Sequence, residues 1–132
     1  MAELSKFFKI VLIINILAAF VYGILFLFIP EIYAGLVDAP AFDLQFWQLW
    51  GVTCTTLGVM GIIGFIRNEW TTLKIIIEFV IIWLILAEII DLISIVNPAR
   101  SATNLASQWT DIIIILFLII LNIYAYLREN KE

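Results

Sequence analysis

The chain contains no histidine and a single cysteine, Cys54, among its 132 residues. Without histidine it lacks the usual axial ligand of haem, the commonest transition-metal ligand and the usual general base. One cysteine excludes an internal disulfide and a cysteine metal cluster, so we predict that Cys54 is a small buried packing residue. We therefore expect no metal, no cofactor and no catalytic residue.

Charged residues are also scarce, at 14% of the chain, whereas 64% of the residues are hydrophobic and the mean hydropathy is +1.13. A soluble domain of this size exposes much of its surface to water and cannot hide so much apolar surface. The few basic residues are scattered, which argues against a nucleic-acid partner. The composition instead predicts a chain whose solvent is the lipid bilayer.

Four apolar runs have the length that a membrane-spanning helix requires, about 20 residues. They cover residues 7–29, 44–66, 73–96 and 109–127, and the loops between them are 30–43, 67–72 and 97–108. Long unbroken runs favour helices over the alternating strands of a barrel. The sequence thus predicts an all-α fold, an integral membrane four-helix bundle that forms one domain over residues 1–132.

The positions of lysine and arginine predict the orientation of this bundle. Six of the seven basic residues fall on one side of the four runs: Lys6, Lys9, Arg67, Lys74, Arg128 and Lys131. Such residues concentrate on the cytoplasmic side, so both termini are expected in the cytoplasm. The aromatic residues of the two membrane boundaries agree, with Trp47, Trp50 and Trp109 outside and Trp70, Tyr124 and Tyr126 inside.

The first run, which follows Lys6 and Lys9, also has features of a signal peptide. Its apolar stretch extends from Ile10 to Ile29, longer than a signal core usually is, and no small-x-small cleavage site ends it. We therefore predict that it is the first span.

Small residues are the expected means of helix association, because apolar side chains gain little by leaving lipid for one another. The candidates for helix packing are Asn15, Ala19 and Gly23 in the first run, and Gly51, Thr55, Gly58 and Gly61 in the second. The first two spans are expected to form a tightly packed pair. Asn122 of the fourth run is expected to cap or bridge helices.

Proline residues indicate where two of the spans end. Pro30 is predicted to end the first span, and a short half-helix in the membrane interface is expected after it. Asn97 and Pro98 are predicted to end the third span in the same manner. The small, polar residues that follow, up to residue 108, are expected to form an exposed outer loop.

The third run carries four charged residues on one helical face: Lys74, Glu78, Glu88 and Asp91. Lys74 and Glu78 are four residues apart and are expected to form an interfacial ion pair. Asp91 is expected at the outer rim together with Asp111 of the fourth run. Arg100, the single basic residue of that rim, could bridge the two.

Glu88 lies nearest the bilayer centre, where a charged carboxylate costs on the order of 3 kcal/mol. Three explanations are open. It could be a neutral side chain that hydrogen-bonds Asn15, Thr53 or Thr55. It could form a proton or cation path with Asp91 and Asp111, or it could contact a bound lipid, a quinone or another subunit.

The stretch "NILAAFVYGILFLFIPEIY", followed by "QLWGVTCTTLGVMGIIGFIRN", resembles the DoxX-like group of small four-helix prokaryotic membrane proteins. The matching positions are Asn15, Gly23, Pro30, Gly51, Gly58, Gly61 and Arg67. The resemblance covers the first two spans and implies a multi-pass protein of a prokaryotic cell membrane. Some members of the group are associated with quinone-linked membrane oxidoreductases, but the resemblance assigns no catalytic residue here.

These observations favour a non-enzymatic accessory or stabilising subunit of a larger membrane complex, with the bilayer and other membrane subunits, or further copies of itself, as partners. A small homo-oligomeric proton or cation transporter or channel that uses the acidic path is the alternative. A quinone- or lipid-binding subunit of a membrane oxidoreductase is the third interpretation.

Overall fold

The computed structural model describes residues 3–96 and 100–131, and every regular element in those ranges is an α-helix. The five helices are α1 (Lys6–Leu27), α2 (Pro30–Leu36), α3 (Leu44–Arg67), α4 (Trp70–Ile95) and α5 (Ala102–Glu129). The all-α prediction is confirmed. Asn97 and Pro98, which were predicted to end the third span, lie outside the described residues.

Polar side chains fix the ends of α1 and α3. The hydroxyl oxygen of Ser5 accepts a hydrogen bond from the backbone N–H of Phe8 at 3.2 Å, and Asp43 caps α3 in the same manner. At the other end of α3, Asn68 adopts a left-handed conformation with φ 54°, and its N–H donates to the carbonyl of Gly64. These caps satisfy backbone groups that a helix leaves without partners, so both helices begin and end at defined residues.

The start of α5 differs from the prediction. The helix begins at Ala102, inside the segment expected to be an exposed loop, and Ser101 caps it by accepting from the N–H of Asn104 at 3.1 Å. Hydropathy detects only the apolar part of a helix, and the first two turns of α5 are polar. The loop prediction is therefore wrong from residue 102 onward.

The segment after α1 forms the short helix α2. Pro30 is its first residue, where a missing backbone N–H costs nothing, and α1 has already ended at Leu27. The expected half-helix is present.

Within residues 3–96 and 100–131, three helices are long and apolar enough to cross a membrane: α1, α3 and α5. Helix α4 has 26 residues but contains the four charged residues noted above, and it is not one of these three. By length and composition, the three helices are compatible with an integral membrane protein.

Glycines let α1 and α3 approach closely along most of their length. A methyl group on Gly51 would lie 2.5 Å from the backbone nitrogen of Leu27, and one on Gly61 would lie 2.6 Å from the side chain of Ile16. Gly23 meets α3 in the same way, at Thr55. The glycines predicted at a helix contact therefore lie between antiparallel α1 and α3.

The four long helices form a closed ring. Helix α4 packs on α5, and this pair touches the α1–α3 pair along two seams, α1 with α5 and α3 with α4. The backbone N–H and the hydroxyl of Ser5 both donate to the carboxylate of Glu129, at 2.7 and 2.6 Å, so the chain ends meet. We call this the terminal end of the ring, and the opposite end, where α2 lies, the loop end.

Large apolar side chains fill the ring at the terminal end. The buried core there consists of Leu4, Phe8, Val11, Leu12, Leu73, Ile77 and Ala125. Trp70 and Tyr126 cover this cluster. The packed core thus lies at the terminal end of the ring.

Replacing Gly51 with alanine should loosen α1 against α3, because the added methyl would meet the backbone of Leu27, which cannot rotate away. We expect the free energy of unfolding to fall by about 1–3 kcal/mol, the usual cost of overpacking. Titration with a denaturing detergent, followed by circular dichroism, measures this change. Gly35→Ala on α2 is the control, since nothing lies within 4 Å of its added methyl. An equal loss in both variants would contradict the close helix contact.

Candidate functional site

A cavity of about 520 Å³ lies between the α1–α3 and α4–α5 pairs and reaches the loop end. All five helices and the segment of residues 37–41 contribute to its wall. The volume falls within the range of sites that bind small molecules, roughly 300–1,000 Å³.

Small side chains leave the middle of the ring open. Ala18 and Ala19 of α1, Cys54 of α3 and Ala87 of α4 all line the cavity. Cys54 and Ala87 are buried, as predicted for the cysteine. These short side chains leave space between larger lining residues such as Leu57, Leu84 and Leu118.

Four aromatic residues, which we call the aromatic cluster, form one wall near the loop end: Tyr22, Phe26, Tyr33 and Trp47. The ring of Phe26 stacks on Tyr22 with centroids 6.1 Å apart, and it meets Tyr33 edge to face at 5.5 Å. Trp47 contacts both Phe26, at 5.2 Å, and Tyr33, at 5.9 Å. The cluster joins α1, α2 and α3 and presents large, rigid ring surfaces to the cavity.

A second aromatic contact crosses the ring from α3 to α4. Trp50 and Trp83 meet edge to face, with centroids 5.6 Å apart, and both line the cavity. Trp83 lies in the middle of α4, far from the boundary positions that tryptophan usually takes in membrane helices. Its position is explained by this contact with α3.

Polar side chains gather where the cavity meets the loop end; we call Asp91, Arg100, Asn104, Gln108 and Asp111 the polar group. Arg100 donates from Nε to the carbonyl of Ser94 at 2.7 Å and from Nη1 to the amide oxygens of Asn104 and Gln108. Gln108 in turn donates from Nε2 to Oδ1 of Asp91 at 2.8 Å. Arg100 thus reaches Asp91 through an amide.

Asp111 has different surroundings. Its Oδ1 accepts a hydrogen bond from the hydroxyl of Tyr22 at 2.7 Å. Among the described residues its electrostatic neighbours are Tyr22, Tyr33 and Asp91, none of which is positively charged. Burial, and then the nearby Asp111 carboxylate, raises the pKa of Tyr33, so this phenol stays protonated at neutral pH. Arg100 is therefore connected to one of the two acids that it was expected to bridge.

An amide pair lies at the other end of the cavity, between α1 and α5. Asn15 donates from Nδ2 to Oδ1 of Asn122 at 2.8 Å, and Asn122 donates back to Oδ1 of Asn15 at 2.9 Å. Each amide also donates to the carbonyl four residues earlier in its own helix. Asn122 bridges helices, as predicted, and Asn15 faces α5 rather than α3.

Lys74 and Glu78, the expected ion pair, both converge on Tyr126 of α5. The hydroxyl of Tyr126 donates to the carboxylate of Glu78, and the ammonium group of Lys74 lies 5.8 Å from the centre of the same ring. These contacts tie α4 to α5 near the terminal end. The direct pair between the two charges stays a prediction.

Glu88 is buried, with 4% of its surface exposed, and within the described part of the chain neither carboxylate oxygen has a hydrogen-bond partner. It is not among the residues that line the cavity, whereas Asp91 and Asp111 are. The acidic path through all three residues stays a prediction.

The partners expected for Glu88 are engaged elsewhere: Asn15 with Asn122, Thr53 with a carbonyl of its own helix, and Thr55 against α1. Among the described residues, the interhelical hydrogen bond that was one of the three explanations for Glu88 is therefore not formed. A buried carboxyl group that lacks a hydrogen-bond partner costs free energy of folding.

Sequence reasoning missed three polar residues of this region: Tyr22, Asn104 and Gln108. A signal was available, because Asn104, Gln108 and Asp111 are spaced by four and three residues and so share one helical face. This shared face could be recognised only once residues 102–108 were known to be helical.

No three acidic or cysteine side chains in the described ranges are placed to hold a metal ion together. Comparison with protein-family models, curated proteins and solved structures gave no match.

Replacing Glu88 with leucine should stabilise the chain, because it removes two buried oxygens that have no partner. We expect the free energy of unfolding to rise by about 1–3 kcal/mol. The matched control is Glu78→Leu on the same helix, which loses the hydrogen bond from Tyr126 and should lower stability by about 1 kcal/mol. Detergent-induced unfolding measures both. A loss of stability in Glu88→Leu would show that its carboxyl group is paired.

Proposed function

We propose that this chain is a four-span integral membrane protein that binds an amphipathic, lipid-like molecule in the cavity between its helix pairs. The observation that carries the proposal is the cavity itself, with about 520 Å³ of space, mostly apolar walls and polar side chains gathered at one end. A molecule with an apolar body and a polar head is complementary to such a site.

The surface of α4 supports its assignment as the fourth span. Its 26 residues extend about 39 Å, enough to cross roughly 30 Å of hydrocarbon. Its acidic residues are covered within the ring: Asp91 lines the cavity, Glu88 is buried, and Glu78 bonds Tyr126. Its exposed face is apolar, consisting of Ile75, Phe79, Ile82, Leu86, Ile89 and Ile93. The charges on α4 therefore do not prevent contact between this helix and lipid.

The orientation follows from the distribution of basic residues. Lysine and arginine are concentrated at the terminal end, and Arg100 is at the loop end, so we assign the terminal end to the cytoplasm. The cavity then opens toward the outer leaflet.

The bound molecule would place its apolar body between the small side chains of the middle of the ring and its head near Asp111 and Arg100. This proposal takes up the ligand-binding part of the third interpretation, a quinone- or lipid-binding subunit of a membrane oxidoreductase; the oxidoreductase part stays a prediction. The accessory-subunit role, the ion path, membership of the DoxX-like group and a prokaryotic membrane stay predictions.

Cysteine labelling in intact cells tests the topology. In a Cys54→Ser background, Ala41→Cys at the loop end should react with a membrane-impermeant maleimide, because residue 41 is exposed. Glu3→Cys and Asn130→Cys, also exposed, should react only after the membrane is opened. If α1, α3 and α5 alone crossed the bilayer, the two terminal positions would lie on opposite sides. Labelling of one terminus from outside would therefore contradict the fourth span.

Filling the cavity tests ligand binding. Ala87→Phe places a ring in the cavity wall, and we expect it to lower the affinity for an amphipathic ligand at least about ten-fold, since the apolar body loses its space. Native mass spectrometry after exchange into neutral detergent measures the fraction of protein that retains one lipid-like molecule. Ala106→Phe is the control, because residue 106 is exposed and does not line the cavity. Equal retention in both variants would overturn the proposed site.

A further inference from the structure

The charges at the loop end of the cavity are not balanced. The polar group contains two carboxylates, Asp91 and Asp111, and one cation, Arg100. Arg100 and Asp91 are linked through Gln108, with distances of 3.3 Å and 2.8 Å. Among the described hydrogen bonds, those of Arg100 lead to Asp91 and none leads to Asp111, so Asp111 is the carboxyl group without a linked cation.

Asp111 receives a hydrogen bond but no compensating charge. The hydroxyl of Tyr22 donates to it at 2.7 Å, and a phenol is neutral. A carboxylate beside apolar walls is costly unless a cation pairs with it. A positive group in the cavity would supply what this side chain lacks.

The aromatic cluster lies beside Asp111 and favours the same charge. Tyr22 bonds Asp111 through its hydroxyl while its ring stacks on Phe26, so the acid and the ring surfaces belong to one wall. Aromatic faces attract cations, and quaternary ammonium groups are the ligands most often recognised in this way. An acid next to several aromatic rings that line the same cavity is complementary to an ammonium group.

An anionic head would have to bind Arg100, and that site is largely occupied. Its Nε donates to the carbonyl of Ser94, and its Nη1 donates to Asn104 and Gln108. An anion would have to compete with these bonds and would also meet the two carboxylates. A positively charged head group is therefore favoured over an anionic one.

We infer that the molecule bound in the cavity carries a positively charged alkylammonium head, which lies beside Asp111 and the aromatic cluster while its apolar chain occupies the middle of the ring. This inference rests on the amphipathic-ligand function proposed above and names the chemical class of that ligand.

Three probes with the same 12-carbon chain and different heads test the inference: dodecyltrimethylammonium, dodecanol and dodecyl phosphate. Each is titrated into the purified chain in neutral maltoside detergent, and binding is followed by the fluorescence of Trp47, Trp50 and Trp83, which line the cavity. We expect the ammonium probe to bind about ten-fold more tightly than dodecanol, the size of one desolvated cation–π and charge contact. Dodecyl phosphate should bind no more tightly than dodecanol.

Asp111→Asn should abolish this preference, because asparagine can still accept from Tyr22 but carries no charge. Tyr22→Phe removes the hydrogen bond to Asp111 but keeps the charge of that side chain, so this variant should retain the preference for the ammonium probe. Comparison of the two variants separates the effect of the charge from that of the local structure. Asp38→Asn is the control at the same end of the ring. Residue 38 is exposed, does not line the cavity and has φ 50°, a conformation that asparagine tolerates.

The outcomes separate the two proposals. Equal binding of all three probes would overturn the ammonium head and leave the amphipathic ligand supported. Binding of none would overturn both. Tightest binding of dodecyl phosphate would assign the head to Arg100 instead, and a preference that survives in Asp111→Asn would remove Asp111 from the site.

Discussion

The amide pair of Asn15 and Asn122 is the interaction on which the shape of the molecule depends. Interhelical hydrogen bonds are one of the means by which long apolar helices associate. The amide pair lies in the seam between α1 and α5, which joins the two helix pairs. Two further contacts lie near the ends of this seam, Ser5 with Glu129 and Tyr22 with Asp111. Because polar contacts hold α1 to α5, the two pairs need not fill the space between them with side chains.

The division between core and cavity follows from the sizes of the inward-facing residues. Near the chain ends, Phe8, Leu73 and Ile77 meet inside the ring and are almost fully covered. Toward the other end, the short side chains of Ala18, Ala19, Cys54 and Ala87 lie among the larger residues that line the cavity. Glycines draw α1 against α3, but no comparable glycines draw α3 against α4 over most of their length. The cavity thus exists because α1 packs closely on α3, whereas α3 and α4 lie further apart over most of their length.

Much of this architecture was predictable from the sequence, because hydropathy and small residues act within one helix or one helix pair. The second apolar run was predicted at residues 44–66 and is observed as Leu44–Arg67. The start of α5 was not predictable in this way, because its first turns are polar. Nor were the partners of Arg100 or the isolation of Glu88, because helical periodicity tells which residues share a face but not which neighbour that face meets.

The contact of Ser5 with Glu129 brings the two ends of the described chain together. The backbone of Glu3 also forms an isolated antiparallel β-bridge with Glu69, in the turn between α3 and α4. Residues 5–129 consequently form a nearly closed loop, and the order of the helices around the ring does not depend on where this loop is cut. A short linker between residues 5 and 129 would allow the loop to be opened instead in the exposed segment around residues 41–43, with the neighbours of every helix unchanged.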